Sequence, residues 1–115
     1  MREKSDLQPG LTRLHRLASE RALSGIEPSA GNASALTVEG AVFVHLLDEN
    51  TAVLQCPVDQ KVLLMEISPE IYFETDHYVG QDAMLIHLDR IDDEELSLRL
   101  QDAWTFTAPE KLKQT

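Results

Sequence analysis

At 115 residues and 43% hydrophobic content, the chain has material for one domain with a single modest core, and no apolar run approaches the roughly 20 residues that span a bilayer. Ten Lys and Arg against twenty Asp and Glu give a formal net charge of −10, which argues against a role built on neutralising a phosphate backbone. The single cysteine, Cys56, leaves no internal disulfide and too few thiols for the usual zinc sites, and residues 1–6 lead into no hydrophobic signal segment, so a cytoplasmic protein is expected.

Residues 11–24 predict the first helix. Leu11, Leu14, Ala18 and Ala22 share a stripe, Arg13, Arg16 and Glu20 face mostly outward, and Gly25 is a natural stop. Arg13, Arg16 and Arg21 form a basic cluster, which Lys111 and Lys113 extend into a basic face if the fold brings the two ends together; the plain reading is a solvated helix surface. Residues 28–34, PSAGNAS, lack periodicity and read as an exposed loop.

Two or three antiparallel strands follow, with Glu39-Gly40 and Asp48-Glu49-Asn50 as their turns. Phe43 and Val53 or Leu54 are core candidates, and Cys56 reads as a small buried hydrophobe rather than a reactive thiol. Pro57 ends the third strand. Residues 58–67, with Val62, Leu63, Met65 and Ile67, predict a short apolar helix before Ser68-Pro69.

From Tyr72 onward the pattern is strand, turn, strand, helix. Met84, Ile86 and Leu88 alternate with Leu85, His87 and Asp89, which predicts a strand over 83–89. Asp92 and Glu95 have the spacing of a capping box, and Glu95 and Arg99 stand as an i, i+4 pair. Leu96, Leu100, Ala103 and Trp104 make the buried stripe of the last helix, which Pro109 stops or kinks. Strands this closely spaced leave no room for crossovers, so the fold class is α+β: an antiparallel sheet of about five strands with helices packed on one face.

Several of these residues carry a resemblance. Tyr72-Phe73, Asp76-His77-Tyr78-Val79-Gly80, Ile86-His87-Leu88, Ile91-Asp92 and Ala103-Trp104 with Ala108-Pro109 are similar to the motifs of the MmcQ/YjbR-like family of small bacterial proteins; Leu23-Ser24-Gly25-Ile26-Glu27 and Val38-Glu39-Gly40 match more weakly. The resemblance spans roughly residues 11–112. It implies a CyaY-like, or frataxin-like, α+β fold and, by proposals made for members, DNA binding through winged elements of the sheet. Ser24 stands where the family usually has proline, and Gln55 and His87 where many members carry basic residues.

No catalytic constellation is legible. His15, His45, His77 and His87 are scattered over helix, strand, turn and strand, with no helical i, i+4 metal pair, and no P-loop, nucleotide fingerprint or serine triad occurs. The residues singled out for binding are His77, Tyr78 and Gly80 in the turn and His87 on the following strand, because a turn at a sheet edge presents its side chains. The expectation is a non-catalytic interaction module, without cofactor or metal and mainly monomeric, its partner unknown. A DNA-binding protein and an enzyme or acidic metal binder are the alternatives.

Overall fold

The apolar spacing of the first helix and the capping signal of the last survive into the computed structural model, which describes residues 8–28 and 35–108. Helix α1 spans Gln8–Glu20, helix α2 Val58–Ile67 and helix α3 Asp93–Thr107. Strands β1 (Ile26–Pro28), β2 (Ala35–Val38), β3 (Ala41–Asp48), β4 (Thr51–Gln55), β5 (Tyr72–Phe73) and β6 (Ala83–His87) form one antiparallel sheet in the order β1-β2-β3-β4-β6-β5. A single 3-10 turn, Asp76–Tyr78, lies between β5 and β6.

The sheet has six strands rather than about five. The extra one, β1, is three residues long and pairs Ile26 with Val38. Its last residue, Pro28, is the first of the stretch 28–34 expected to be loop. Proline cannot donate to a ladder, but at the sheet edge no donor is required of it. The rest of that loop lies outside the described residues, as do Lys111 and Lys113. Helix α1 also ends earlier than Gly25 suggests: Ala22 already has a φ of 57° and breaks the helix, and Gly25, at 76°, serves the turn into β1.

One sheet face carries the main core. Leu36, Val44, Leu54 and Met84 pair across four strands, and Ala52, Ile86 and Tyr72 make a parallel row. All of them pack with Leu14, Leu17 and Ala18 of α1 and Leu96, Leu100 and Ala103 of α3. A register shift at Leu36/Thr37 lets the neighbours Phe43 and Val44 both enter that cluster, as a bulge allows. Leu17 joins the stripe expected of α1. Trp104 corrects the expectation for α3: it is half-buried, packs at the margin of the core, and its Nε1 donates to the carbonyl of Ser24 at 2.8 Å. The opposite sheet face holds a smaller cluster of Val53, Ala83 and Leu85, flanked by Phe73 and Tyr78.

At the start of α3 the cap forms as spelled, Asp92 accepting from the Glu95 amide at 2.8 Å. The Glu95 side chain departs from the expected pair with Arg99. It accepts from the Tyr72 hydroxyl, to which Arg99 Nη1 also donates at 3.5 Å, while Arg99 Nε binds Asp102 at 3.0 Å. Burial, and then the Glu95 bond, push the Tyr72 phenol well above its ordinary pKa.

Candidate functional site

Helix α2 departs from an ordinary surface helix by burying its lysine and exposing apolar side chains. Of its ten residues, Val58, Val62, Leu63, Leu64, Met65 and Ile67 are apolar. Its lysine nevertheless faces inward: Lys61 is 1% exposed, whereas Leu63 and Ile67 are 54% and 65% exposed and Val62 is exposed beside them. Met65 and Leu64 pack on the main core from the inner side. A lysine left at large on a surface helix keeps its ammonium in water, so the rotation of α2 has a specific cause.

That cause is the connection between β5 and β6. Lys61 Nζ donates to the carbonyls of Tyr78 at 2.9 Å and Gln81 at 2.7 Å, and its charge lies 2.8 Å from Glu74 Oε1. The Glu74 contact lacks the alignment of a hydrogen bond and is a contact of charges. At the start of α2, where Pro57 offers no side-chain cap, Asp82 Oδ1 accepts from the Val58 amide at 3.2 Å. Residues 74–82 therefore hold α2 at its beginning and along its inner side. The buried ammonium thus has two carbonyl acceptors and an opposite charge beside it, the condition under which it is tolerated.

Three of the residues singled out in the sequence lie in this connection. His77 and Tyr78 belong to the 3-10 turn, their rings edge to face with centroids 4.8 Å apart, and Tyr78 supplies both a Lys61 acceptor and a half-buried ring against the smaller cluster. Gly80 has a φ of 78°, a conformation that resists side chains, with open space around it. Val79 between them is exposed. His87 is not gathered with them; its ring stacks on Phe73 at 4.1 Å. His45 and His87 share the sheet face that carries the smaller cluster, but β4 separates them, His45 lying opposite Val53 and His87 opposite Thr51. Burial lowers the pKa of His45. Among the described residues, no group of three or more His, Cys, Asp or Glu side chains is gathered as a metal ion requires.

Arg16 faces outward as expected, but Arg13 and Arg21 are half-buried, and all three reach α3 or the segment before it. Arg13 donates to Asp93 at 2.7 Å and to the carbonyls of Leu88 and Ile91 at 2.8 and 2.7 Å. Arg16 reaches Asp93 at 3.0 Å and Glu20 at 3.4 Å; Arg21 binds Ser97 at 2.9 Å and Gln101 at 2.8 Å. The Arg13 and Arg16 hydrogen bonds hold the Asp93 carboxyl below the usual carboxylate range. With Lys61 and Arg99, five of the six basic side chains among the described residues are committed to internal partners, Arg90 being the sixth.

Beside α2 a cleft of about 430 Å³ opens against α3, lined by Pro57, Gln60, Gln101, Asp102, Thr105 and Phe106. Gln60 Nε2 donates to Asp102 at 2.8 Å, joining the two helices, and Phe106 is exposed. A smaller hollow of about 350 Å³ lies at the other end of the sheet, around Pro69, Glu70, His87, Asp89 and Arg90.

No protein-family model and no solved structure matches the chain. It is 30% identical over 93 residues to uncharacterised proteins of Mycobacterium tuberculosis (Rv2570) and Mycobacterium bovis (Mb2600), a similarity covering 79% of this chain and 57% of each relative. The chain thus spans just over half the length of the curated relatives it matches. Their names carry no activity, and the α2 site rests on its own geometry. Lys61 is the residue that sequence reasoning missed. Its signal was a lone cation inside an apolar run, within a stretch where residues 55–89 hold seven carboxylates and no other Lys or Arg.

Proposed function

We propose that this chain is an MmcQ/YjbR-like, non-catalytic interaction module of cytoplasmic setting, monomeric alone, that recognises a protein partner through α2 and the β5–β6 connection. One observation carries the reading: the helix that buries its lysine and exposes Leu63 and Ile67. An apolar helix face left in water is destabilising unless a partner covers it, and monomeric proteins keep such patches small. The DNA-binding alternative loses support from three of the five side chains that spoke for it, since Arg13, Arg16 and Arg21 are bound within the fold. Releasing them for phosphates requires giving up contacts that join α1 to α3. Anisotropy titrations with labelled mixed-sequence duplexes, at low and then physiological salt, test this: a flat trace is expected. Micromolar binding that weakens steeply with salt would replace the reading with nucleic-acid recognition.

A further inference from the structure

Resting on the interaction-module reading, we infer that the outward side of α2, together with the cleft it forms against α3, docks a cationic, apolar-anchored segment of a partner protein. At about 100° per residue, Val62, Glu66, Asp59, Leu63 and Ile67 follow one another across the outward side of the helix. Leu63 and Ile67, one turn apart, form an apolar ridge; Phe106 stands exposed in the adjacent cleft. Two exposed carboxylates, Asp59 and Glu66, therefore lie between apolar side chains on one surface.

Charge selects the occupant. Residues 55–89 contain Asp59, Glu66, Glu70, Glu74, Asp76, Asp82 and Asp89 against Lys61 alone, and the Lys61 ammonium is buried and engaged with Glu74 and two carbonyls. A partner with apolar anchors flanked by Lys or Arg satisfies Asp59 and Glu66 while covering Leu63 and Ile67. A second copy does the reverse. Its own Asp59 and Glu66 come to face those of the first in any two-fold arrangement of this helix, between bodies each carrying a formal −10. The cleft supplies what a bare helix face lacks, a recess where one apolar side chain can sit beside Phe106, Gln60 and Asp102. Helix-in-groove recognition reads such anchors at helical spacing.

The test uses the full chain, ¹⁵N-labelled, titrated with a synthetic Leu/Lys peptide whose leucines fall at i, i+3, i+4 and i+7, and with a Leu/Glu peptide of the same pattern. Saturable shift changes are expected along α2 and the last two turns of α3 with the Lys peptide, and none with the Glu peptide. The Leu63→Ser, Ile67→Ser double variant keeps the charge and alters only exposed positions. Its affinity for the Lys peptide should fall about tenfold or more with its far-UV spectrum and melting curve unchanged. Asp59→Asn with Glu66→Gln should weaken binding and flatten its salt dependence. Unchanged affinity in the Ser variant, or shifts confined to another face, overturns the proposal by reducing the attraction to general charge. Concentration-dependent self-association that moves the same α2 resonances overturns it in favour of a second copy. No peptide binding at all, with duplex DNA also silent, sinks the docking surface but leaves the interaction reading; duplex-induced shifts on α1 sink the interaction reading itself.

Discussion

Arg13 and Asp93 close the molecule across 80 positions of sequence: Arg13 Nε donates to Asp93 at 2.7 Å while its terminal nitrogens hold the carbonyls of Leu88 and Ile91. One guanidinium thus links α1 to the entry of α3. Three acceptors in a fixed fork suit arginine and not lysine. Because Asp93 is half exposed, water screens the ionic part, and the carbonyl bonds carry most of the stabilisation.

Arg13→Met should therefore cost about 1–3 kcal/mol in urea denaturation, the range for buried acceptors left without a donor. Arg13→Lys should recover little of it. Asp93→Asn should cost less than Arg13→Met, with its deficit present at neutral pH and shrinking in acid. With its folded pKa lowered, Asp93 contributes stability above the ordinary carboxylate value of about 3.9 and loses it as pH falls through the depressed one. The parent should lose more stability than the Asn variant below about pH 4. Equal acid limbs would show that the Arg13–Asp93 contact contributes nothing in solution.

Lys61→Met removes the buried ammonium and leaves two carbonyls and the partly exposed Glu74 unmatched. A loss of about 1–3 kcal/mol is expected, the usual cost of leaving buried acceptors without a donor. Glu74→Gln should cost less, and adding it to Lys61→Met should recover part of the loss, a coupling that a double-mutant cycle reads directly. Additive effects would mean that the two side chains do not meet.

The fold was legible where local chemistry agreed with its setting. Asp92 capped α3 as its spacing indicated, Glu39-Gly40 made a hairpin with φ of 52° and 86°, and Gly80 took its positive φ. Lys61 was hidden for a physical reason. Helical periodicity assumes that a lysine marks the wet side, and only the carbonyls of Tyr78 and Gln81, 17 and 20 positions away, reverse that. Arg13 and Arg21 misled in the same manner, their partners lying 75 to 80 positions along the chain. Trp104 fell on an apolar stripe but stands at its edge, because the helical pattern fixes the side of a helix and not where the core ends.

His45 gives the fold a pH dependence near neutrality. Burial lowers its folded pKa, so the unfolded chain binds a proton first as pH falls. Stability attributable to His45 is complete above about pH 6.5 and declines below it. His45→Gln should flatten the stability curve between about pH 7.5 and 5.5; a curve as steep as the parent's would assign the dependence to another group.

Cys56 should be slow toward thiol reagents in the native state. Its thiol is buried and pushed up to about 11, chiefly by desolvation, so little thiolate is present at neutral pH. A chromogenic disulfide should react rapidly only in denaturant. Prompt stoichiometric reaction of the folded protein would expose the thiol.

The assignment of the arginines to structure rather than to a nucleic acid is tested most directly by the side-chain Nε–Hε spectrum of the ¹⁵N-labelled protein. Arg13, Arg21 and Arg99 each donate an Nε hydrogen bond, to Asp93, Ser97 and Asp102. Three Hε signals with slowed exchange are expected, unmoved by excess duplex DNA at low salt. Averaged, fast-exchanging Arg13 and Arg21 signals, or signals that shift with duplex and return with added salt, would contradict it.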